Sequence, residues 1–382
     1  MYFQFITSIT DIDRDQWNRI AGTDYPFTRF EFLAALESSG ATNSESGWQP
    51  LHLVAKTDDD ELLGLVPLYI KTHSYGEYVF DWAWADAYHR NGIQYYPKLL
   101  TAIPYTPATG PRFCFSDDLA EPHQLELQVE MTKTIKEQAQ KIGASSWHCL
   151  FPEYPHAQRL EEAGFALRQG CQFHWYNRDF TSFDDFLATF NSRKRKNLKK
   201  ERQKVHAQNV QLIRCEGRDI SREHWQKFYE FYQLTYLKRS GHDGYLTGDF
   251  FETLGRTMPE HLMMVQAFAD DKLVAAALCF KSSTHLFGRY WGCREEFDSL
   301  HFEACYYQGI EYAIEHGIQC FDPGAQGEHK IQRGFTPTAT WSSHWLADER
   351  FDNAVRDFLQ REQPGVEQYM IETAELLPFK QE

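Results

Sequence analysis

The segment His261-Leu-Met-Met-Val-Gln-Ala-Phe-Ala-Asp-Asp-Lys-Leu-Val-Ala-Ala-Ala-Leu-Cys-Phe-Lys281 indicates the fold more directly than any other part of the chain. Apolar, strand-like runs lie on both sides of Asp270-Asp271, a pair that is typical of a tight turn. The same arrangement occurs earlier, where Leu51–Lys56 and Leu62–Lys71 flank an acidic turn that begins at Thr57. The sequence therefore predicts one antiparallel hairpin in each half.

The elements around each hairpin follow the same order in both halves. In the first half, a strand at 2–9 and helices at 13–20 and 30–38 precede the hairpin, and a helix at 125–141 and strands at 146–151 and 173–180 follow it. In the second half, the corresponding elements are predicted at 210–215, 222–238, 249–257, 302–315, 319–322 and 340–346, with a last helix at 351–360. This order is typical of the GNAT acyltransferase fold. We therefore predict an α/β protein with two tandem GNAT-like repeats, each a mixed sheet flanked by helices.

A basic segment lies between the two repeats. Residues 193–204 contain eight Lys or Arg and one Glu, a net charge of +7, while the whole chain carries −15 and the remainder therefore −22. A capping signal at Ser182 and the apolar stripe after it predict one helix that runs from there through the basic residues. The predicted division is a first repeat at 1–180, a basic linking helix at 181–207, and a second repeat with its C-terminal helix at 208–382.

Two interpretations of the basic segment remain open at this point. Its cations form either a solvated helix face or a contact for an anionic ligand such as a phosphate-rich donor. Under the second interpretation, the donor-binding residues are Arg193, Lys196, Lys199 and Lys200.

Composition limits the class of protein. A chain of 382 residues with 42% apolar and 15% aromatic content fits two packed domains. The sequence has no apolar run long enough for a membrane helix, no signal-peptide pattern and no Cys-x-x-Cys pair among its eight cysteines, so we expect a soluble, reduced, cytoplasmic protein without a metal site. The motifs of serine hydrolases, P-loop proteins, dinucleotide-binding enzymes and zincins are missing from the sequence.

The segment Phe321-Asp-Pro-Gly-Ala-Gln-Gly-Glu-His-Lys-Ile-Gln-Arg-Gly-Phe335 carries the predicted catalytic residues. Glu328 and His329 are candidates for the base that takes a proton from an attacking amine. Lys330 and Arg333 are candidates for binding a phosphate or a tetrahedral oxyanion. The alternative for all four is a structural loop with solvated charges.

Further residues are predicted to contact substrate in both repeats. Trp84 and its neighbours are predicted to form an aromatic strand or loop, for which simple packing is the alternative explanation. A helix-capping role is the alternative for Glu303. The predicted substrate-binding residues are Arg289, Tyr290, Glu303, Gln326, Trp84, Asp86 and Lys98.

Several blocks of the chain resemble the FemAB-like bacterial proteins, which are described as peptidoglycan biosynthesis/recognition proteins or predicted N-acyltransferases. The likeness lies in 80–88, 95–98 with 104–110, 288–293, 301–308 and 321–335. It implies the transfer of an acyl or aminoacyl group to an amine. The better-understood Fem transferases use aminoacyl-tRNA as donor and a muropeptide amine as acceptor.

Two motifs qualify this resemblance. The Phe-Lys-x-Gly-Phe-Gly block of the Fem transferases is matched by Ile331-Gln-Arg-Gly-Phe335, so Gln332 stands at the lysine position and the cationic role would pass to Lys330 or Arg333. The pyrophosphate-binding turn of acetyl-CoA-dependent GNAT proteins is matched only by 289–294, where Arg294 replaces a small residue, which argues against CoA.

The sequence thus predicts an N-acyltransferase, and the resemblance implies a role with cell-wall precursors. Its acceptor would be a small-molecule or muropeptide amine, and its donor an aminoacyl-tRNA or an acyl thioester, on a carrier or as acyl-CoA, with no tightly bound cofactor. The alternative is a non-catalytic recognition protein that binds a peptidoglycan precursor or an aminoacyl donor.

Overall fold

The computed structural model describes residues 1–325 and 327–380. Its strands are β1 Tyr2–Ile6, β2 Trp48–Pro50, β3 His52–Lys56, β4 Leu62–Val66, β5 Tyr69–Lys71, β6 Lys98–Thr101, β7 Cys114–Phe115, β8 Ser146–Leu150, β9 Ala166–Tyr176, β10 Val210–Glu216, β11 Leu262–Ala269, β12 Lys272–Lys281, β13 His285–Cys293, β14 Cys320–Asp322 and β15 Thr336–Leu346.

The helices surround these strands. They are α1 Arg14–Ala21, α2 Phe30–Ser38, α3 Trp82–Arg90, α4 Glu121–Lys141, α5 Tyr154–Glu162, α6 Phe183–Ala188, α7 Ser192–Ala207, α8 Arg222–Ser240, α9 Gly248–Thr257, α10 Leu300–Phe302, α11 Gln308–Glu315 and α12 Glu349–Glu375. A π-helical turn, Glu303–Tyr307, joins α10 to α11, and a 3₁₀ helix spans Glu328–Arg333. Within the described residues, no helix combines the length and the apolar character needed to cross a bilayer.

The chain forms two compact units whose limits differ from the predicted division. The first comprises 1–170 and 339–368, and the second 171–338 and 369–382. The boundary thus falls inside β9 rather than at residue 180, and part of the predicted second repeat belongs to the first unit. Local sequence patterns do not predict that residues 339–368 join the first unit, because this depends on pairing between strands that are far apart in the sequence.

In the first unit, β1, β3, β4 and β7 form one sheet. The strands β2, β5, β6, β8 and most of β15 are hydrogen-bonded in a second sheet. There β2 pairs with β5 and β5 with β6 in antiparallel fashion, whereas β6 pairs with β8 in parallel. Residues Ser342–Leu346 of β15 then pair antiparallel with β8. The parallel pair requires a long crossover connection, which includes α4. A core of aliphatic and aromatic side chains that includes Trp147 lies between α4 and these strands.

The second unit repeats this plan. Strands β10 to β13 are joined in antiparallel order, β13 and β14 are parallel, and α10 and α11 provide the crossover between them. Residues Trp175 and Tyr176 of β9 pair antiparallel with β14. Both predicted hairpins, and the repeated order of elements around them, are therefore present, but the strand predicted at 62–71 is two strands, β4 and β5, which belong to different sheets.

The predicted linking helix is two helices, and both lie within the second unit. The apolar residues form α6, which ends near Thr189, and Asn191 starts α7 by accepting a hydrogen bond from the Lys194 backbone amide. Phe190 between them is fully buried. A new N-cap at Asn191 interrupts the continuous helix that the apolar stripe predicts, because the cap residue must leave helical geometry.

The aromatic segment predicted as a strand or loop is the helix α3. Trp84 and Tyr88 stand four residues apart and are both buried, as on one face of a helix. The alternation of aromatic and small residues suggested a period of two, but the alanines between them favour a helix.

Candidate active site

The candidate site begins at the end of β14, where Asp322 anchors the following loop. Its carboxylate forms an ion pair with Arg289, with Nη2 to Oδ2 at 2.5 Å, and both side chains are only 2% exposed. The Gly324 amide donates to the other oxygen at 2.9 Å. Burial alone would raise the pKa of Asp322, but Arg289 lowers it overall, so the carboxylate stays charged. Arg289, predicted to bind substrate, thus fixes the backbone of the loop.

Lys330 lies in the 3₁₀ helix that follows the loop. Its side chain is almost completely buried, at 2% exposure, and its Nζ donates to the Gly324 carbonyl oxygen at 2.5 Å. Burial lowers the pKa of Lys330 to about 8, against the attraction of Asp322. Because Arg289 already neutralises Asp322, the ammonium has no carboxylate of its own among the described residues. A lysine with such a pKa can act as a cation or exchange a proton near neutral pH.

His329 sits beside Lys330 but is exposed. Its Nε2 lies 2.8 Å from the Tyr306 hydroxyl. Partial desolvation of the ring, with the charges of Arg333 and Lys330, lowers the pKa of His329 below its usual value, which favours the neutral imidazole. A Cβ at Gly327, where φ is +114°, would lie 2.5 Å from the His329 ring. Only glycine therefore allows this placement of the imidazole.

The π-helical turn Glu303–Tyr307 supplies two tyrosines to the site. Tyr306 meets His329, and the hydroxyl of Tyr307 accepts a hydrogen bond from Arg333 Nε at 3.1 Å. Isolated π-helical turns are rare and often occur at functional sites, because the extra residue changes the direction of neighbouring side chains. The sequence did not indicate this role, since it predicts only a regular helix over 302–315.

Arg333 is held from several directions. Its Nη2 forms an ion pair with Glu201 at 2.8 Å, its Nη1 donates to the His329 carbonyl oxygen at 2.6 Å, and its guanidinium lies over the Phe302 ring. Glu201 also accepts a hydrogen bond from Tyr307. This arrangement suits a side chain that positions the 3₁₀ helix, whereas the sequence predicted Arg333 as an oxyanion or phosphate ligand.

Glu328 and Glu303, two other predicted site residues, point to partners of their own. Glu328 is exposed and accepts a hydrogen bond from the Tyr369 hydroxyl at 2.9 Å. Glu303 is buried and binds Arg202 through both carboxylate oxygens, at 2.8 and 3.0 Å. Neither is in hydrogen-bond contact with His329 or Lys330 in the described part of the chain.

The remaining predictions for the second unit fall into three groups. Tyr290 packs against other aromatic rings, including Tyr232 and Phe251. Gln326 lies outside the described residues. The predicted donor-binding residues are all exposed on α7: Arg193, Lys196, Lys199 and Lys200.

The predicted residues of the first unit do not form a comparable site. Trp84 is buried, with its ring edge-on to His344. Asp86 is an exposed partner of Arg90, at 2.6 Å on the same helix. Lys98 has no exposure at all and donates to Glu77 at 2.8 Å.

Lys98 belongs to a buried polar network that the sequence did not reveal. Besides Glu77, its ammonium contacts Asp81, which accepts a hydrogen bond from Tyr95 at 2.7 Å. The Tyr95 hydroxyl is also within hydrogen-bond distance of His148 Nε2, at 3.0 Å. The only sequence signal was the placement of polar residues inside apolar strands, which does not reveal their partners.

Comparison with known families assigns the chain. A model of the FemAB-like family, described as peptidoglycan biosynthesis/recognition, matches residues 8–381. The chain belongs to the FemAB-like family. This confirms the resemblance predicted from the sequence blocks. No curated protein matches the chain significantly.

Solved structures support the fold of this FemAB-like chain. FemX superposes with a TM-score of 0.54 at 13% identity, covering 93% of this chain and 100% of FemX. The C-terminal DUF2156 domain of a putative lysylphosphatidylglycerol synthetase from Agrobacterium fabrum gives 0.56 at 9%, covering 92% and 96%. L-PGS from Bacillus licheniformis gives 0.51 at 11%, covering 92% and 97%. The predicted tandem GNAT-like fold is confirmed.

In this FemAB-like chain, the residue at the lysine position of the Fem block has a structural contact of its own. Gln332 accepts a hydrogen bond from the Lys194 ammonium of α7 and donates to the Leu376 carbonyl oxygen at 3.1 Å. Lys330, two residues earlier, is the buried cation next to His329. His329 and Lys330 are thus adjacent residues of one 3₁₀ helix that Arg333 holds through the His329 carbonyl oxygen, whereas Glu328 is bonded to Tyr369.

Proposed function

We propose that this FemAB-like protein transfers an acyl or aminoacyl group directly to an amine. The observation that carries the proposal is the buried Lys330, with a pKa lowered to about 8, beside the neutral imidazole of His329. An acyl transfer needs a base for the amine and a cation or donor for the developing oxyanion. The two side chains supply both within adjacent residues of one helix.

In the proposed reaction, the amine nitrogen attacks the carbonyl carbon of an ester or thioester donor. A nitrogen–carbon bond forms, and the carbon–oxygen or carbon–sulfur bond to the leaving group breaks. His329 takes the proton released by the amine, and that proton passes to the leaving alkoxide or thiolate. Lys330, protonated below pH 8, stabilises the tetrahedral oxyanion, while Arg333 and Tyr306 hold the 3₁₀ helix and the imidazole in place.

The family description supports a peptidoglycan precursor as the acceptor, with a muropeptide amine as the reacting group. For the donor, the candidates are an aminoacyl-tRNA and an acyl thioester, bound as a co-substrate rather than as a resident cofactor. We expect the reaction in the cytoplasm, as the sequence predicts.

The test is a transfer assay with a lysine-containing muropeptide precursor and either charged tRNA or acyl thioesters, read by the mass of the acceptor. His329→Ala is expected to lower turnover roughly 10²–10⁴-fold. Lys330→Met is expected to lower it roughly 10²–10³-fold. Lys133→Met, at an exposed position on α4, is the control.

The outcomes separate catalysis from recognition. A folded His329→Ala, Lys330→Met double variant that transfers at the wild-type rate would place the active site elsewhere. Wild-type protein that binds the precursor tightly but transfers nothing would favour the non-catalytic recognition function.

A further inference from the structure

Helix α7 has two chemically different faces. One face holds the candidate site: Lys194 binds Gln332, Glu201 binds Arg333, and Arg202 binds Glu303. The buried residues Leu198 and Val205 lie on the same side. These positions recur every three or four residues, as one face of a helix requires. The helix therefore forms a wall of the candidate site.

The opposite face carries a stripe of exposed cations. Arg193, Lys196 and Lys200 are spaced by three and four residues and therefore align along the helix, turned away from Glu201 and Leu198. Within residues 1–325 and 327–380, none of the three has an ion-pair partner. We call these three residues the α7 stripe. Long exposed cations without partners are available to an external anion.

Acidic residues limit the α7 stripe on both sides. Lys199 forms an ion pair with Asp184 at 3.1 Å, and Lys204 with Asp298 at 2.8 Å. Seven residues of helix separate Arg193 from Lys200, which makes the stripe about 10 Å long. Outside the basic segment the chain carries a charge of −22. Because Lys199 and Lys204 are already neutralised by these carboxylates, the unpaired positive charge of the stripe covers only this short length.

We infer that the α7 stripe docks an acidic helix of an acyl carrier protein, which delivers the acyl group as a thioester. This inference rests on the proposed transfer function and names its donor. A row of carboxylates spaced three or four residues apart on a partner helix matches the stripe in length, spacing and charge. A nucleic acid offers phosphates over a much longer path than the stripe can neutralise.

The position of α7 relates docking to chemistry. The same helix contacts Gln332 and Arg333, which follow His329 and Lys330 in the 3₁₀ helix. A partner on its outer face is separated from the site by about one helix diameter, roughly 10 Å. In the transfer, the amine nitrogen bonds to the thioester carbon, the carbon–sulfur bond breaks, and the carrier leaves with a free thiol that takes the proton from His329.

The test measures binding without any need for turnover. Fluorescence anisotropy compares a holo acyl carrier protein with bulk tRNA as probes for the wild-type protein and for the Arg193→Glu, Lys196→Glu, Lys200→Glu variant. Reversal of the stripe is expected to weaken carrier binding by at least about tenfold at low salt, with less difference at high salt. The matched control makes the same charge change at exposed positions: Lys133→Glu, Lys141→Glu and Arg256→Glu.

A charge-swap experiment completes the test. A carrier whose acidic helix residues are replaced by lysine is expected to lose affinity for the wild-type protein and regain it with the stripe-reversed variant. Binding of tRNA that depends on the stripe, without carrier binding, would overturn the inference in favour of a nucleic-acid donor. Absence of binding by both probes would also overturn it. Lys330→Met should leave carrier binding intact, because Lys330 is not part of the α7 stripe. Wild-type protein that binds the carrier normally but transfers nothing would count against the proposed function and not against the docking inference.

Discussion

Lys98 in the first unit and Lys330 in the second are both buried, yet their surroundings give them opposite properties. Burial tends to lower the pKa of each ammonium. At Lys98 the carboxylates of Glu77 and Asp81 more than compensate, and the pKa is raised. At Lys330 the nearby Asp322 is already paired with Arg289, and the pKa falls to about 8.

The difference shows how one residue type serves two purposes. A buried lysine with carboxylates of its own is a fixed structural charge, whereas one that binds a carbonyl oxygen keeps a proton that can be lost near neutral pH. The sequence assigned substrate binding to Lys98 and catalysis to Lys330. The contacts favour a structural role for Lys98 and are compatible with chemistry at Lys330.

The largest expected effect is on stability, at Lys98. Lys98→Met leaves Asp81 buried without its ion-pair partner and Glu77 with only Lys71, at 3.8 Å, so we expect the free energy of unfolding to fall by about 3–5 kcal/mol. Urea unfolding followed by circular dichroism measures it, with Lys133→Met as the exposed control. A loss below about 1 kcal/mol would show that the network is not held by this charge.

The pH profile of transfer tests Lys330 next. Its ammonium is the acid form, so activity that needs the cation is present below pH 8 and lost as the pH rises through about 8. Above that point kcat/KM should fall about tenfold per pH unit. In Lys330→Arg the guanidinium stays charged, so the fall should move to higher pH. If kcat/KM of that variant still falls at the same pH, the titrating group is not Lys330.

Gly327→Ala tests the position of His329. The added methyl would lie 2.5 Å from the imidazole, at a φ of +114° that disfavours side chains. We expect a loss of roughly 1 kcal/mol in unfolding free energy and slower transfer, because the ring must move. Gly143→Ala, at a positive φ with open space around it, is the control for backbone strain alone. Equal transfer rates in both variants would mean that the position of His329 does not matter.

The smallest effect is expected at Glu328. Its carboxylate is exposed and bonded to Tyr369, so Glu328→Gln should change stability by less than about 0.5 kcal/mol and leave the transfer rate within about threefold. Transfer assays and thermal unfolding on the same preparation measure both. A loss as large as that of His329→Ala would identify Glu328 as the base.

Much of the fold could be predicted because it depends on local sequence patterns. The two hairpins follow from apolar runs with acidic turns, and long helices such as α4 follow from periodicity. The break at Asn191 was missed because a single capping residue competes with a longer apolar stripe. The pairing of β15 with β8 was missed because the sequence of a strand does not determine which other strand it pairs with.

The candidate site was predicted in part for the same reason. His329 and Lys330 stand in a glycine-rich segment of mixed charges. They are adjacent in the sequence, so no long-range contact is needed to place them in one helix. Tyr306 was missed because only the π-helical turn aims its hydroxyl at His329. The burial that lowers the pKa of Lys330 depends on packing from distant parts of the chain.

The exchange of strands between the repeats has a consequence for synthesis. The first unit needs residues 339–368, so its sheet stays incomplete until this second segment has been synthesised. Until then β8 presents an open edge to other chains, and such edges favour aggregation. Proteolytic separation of the two sequence repeats would likewise yield one fragment without its last strand and another that carries a strand with no partner.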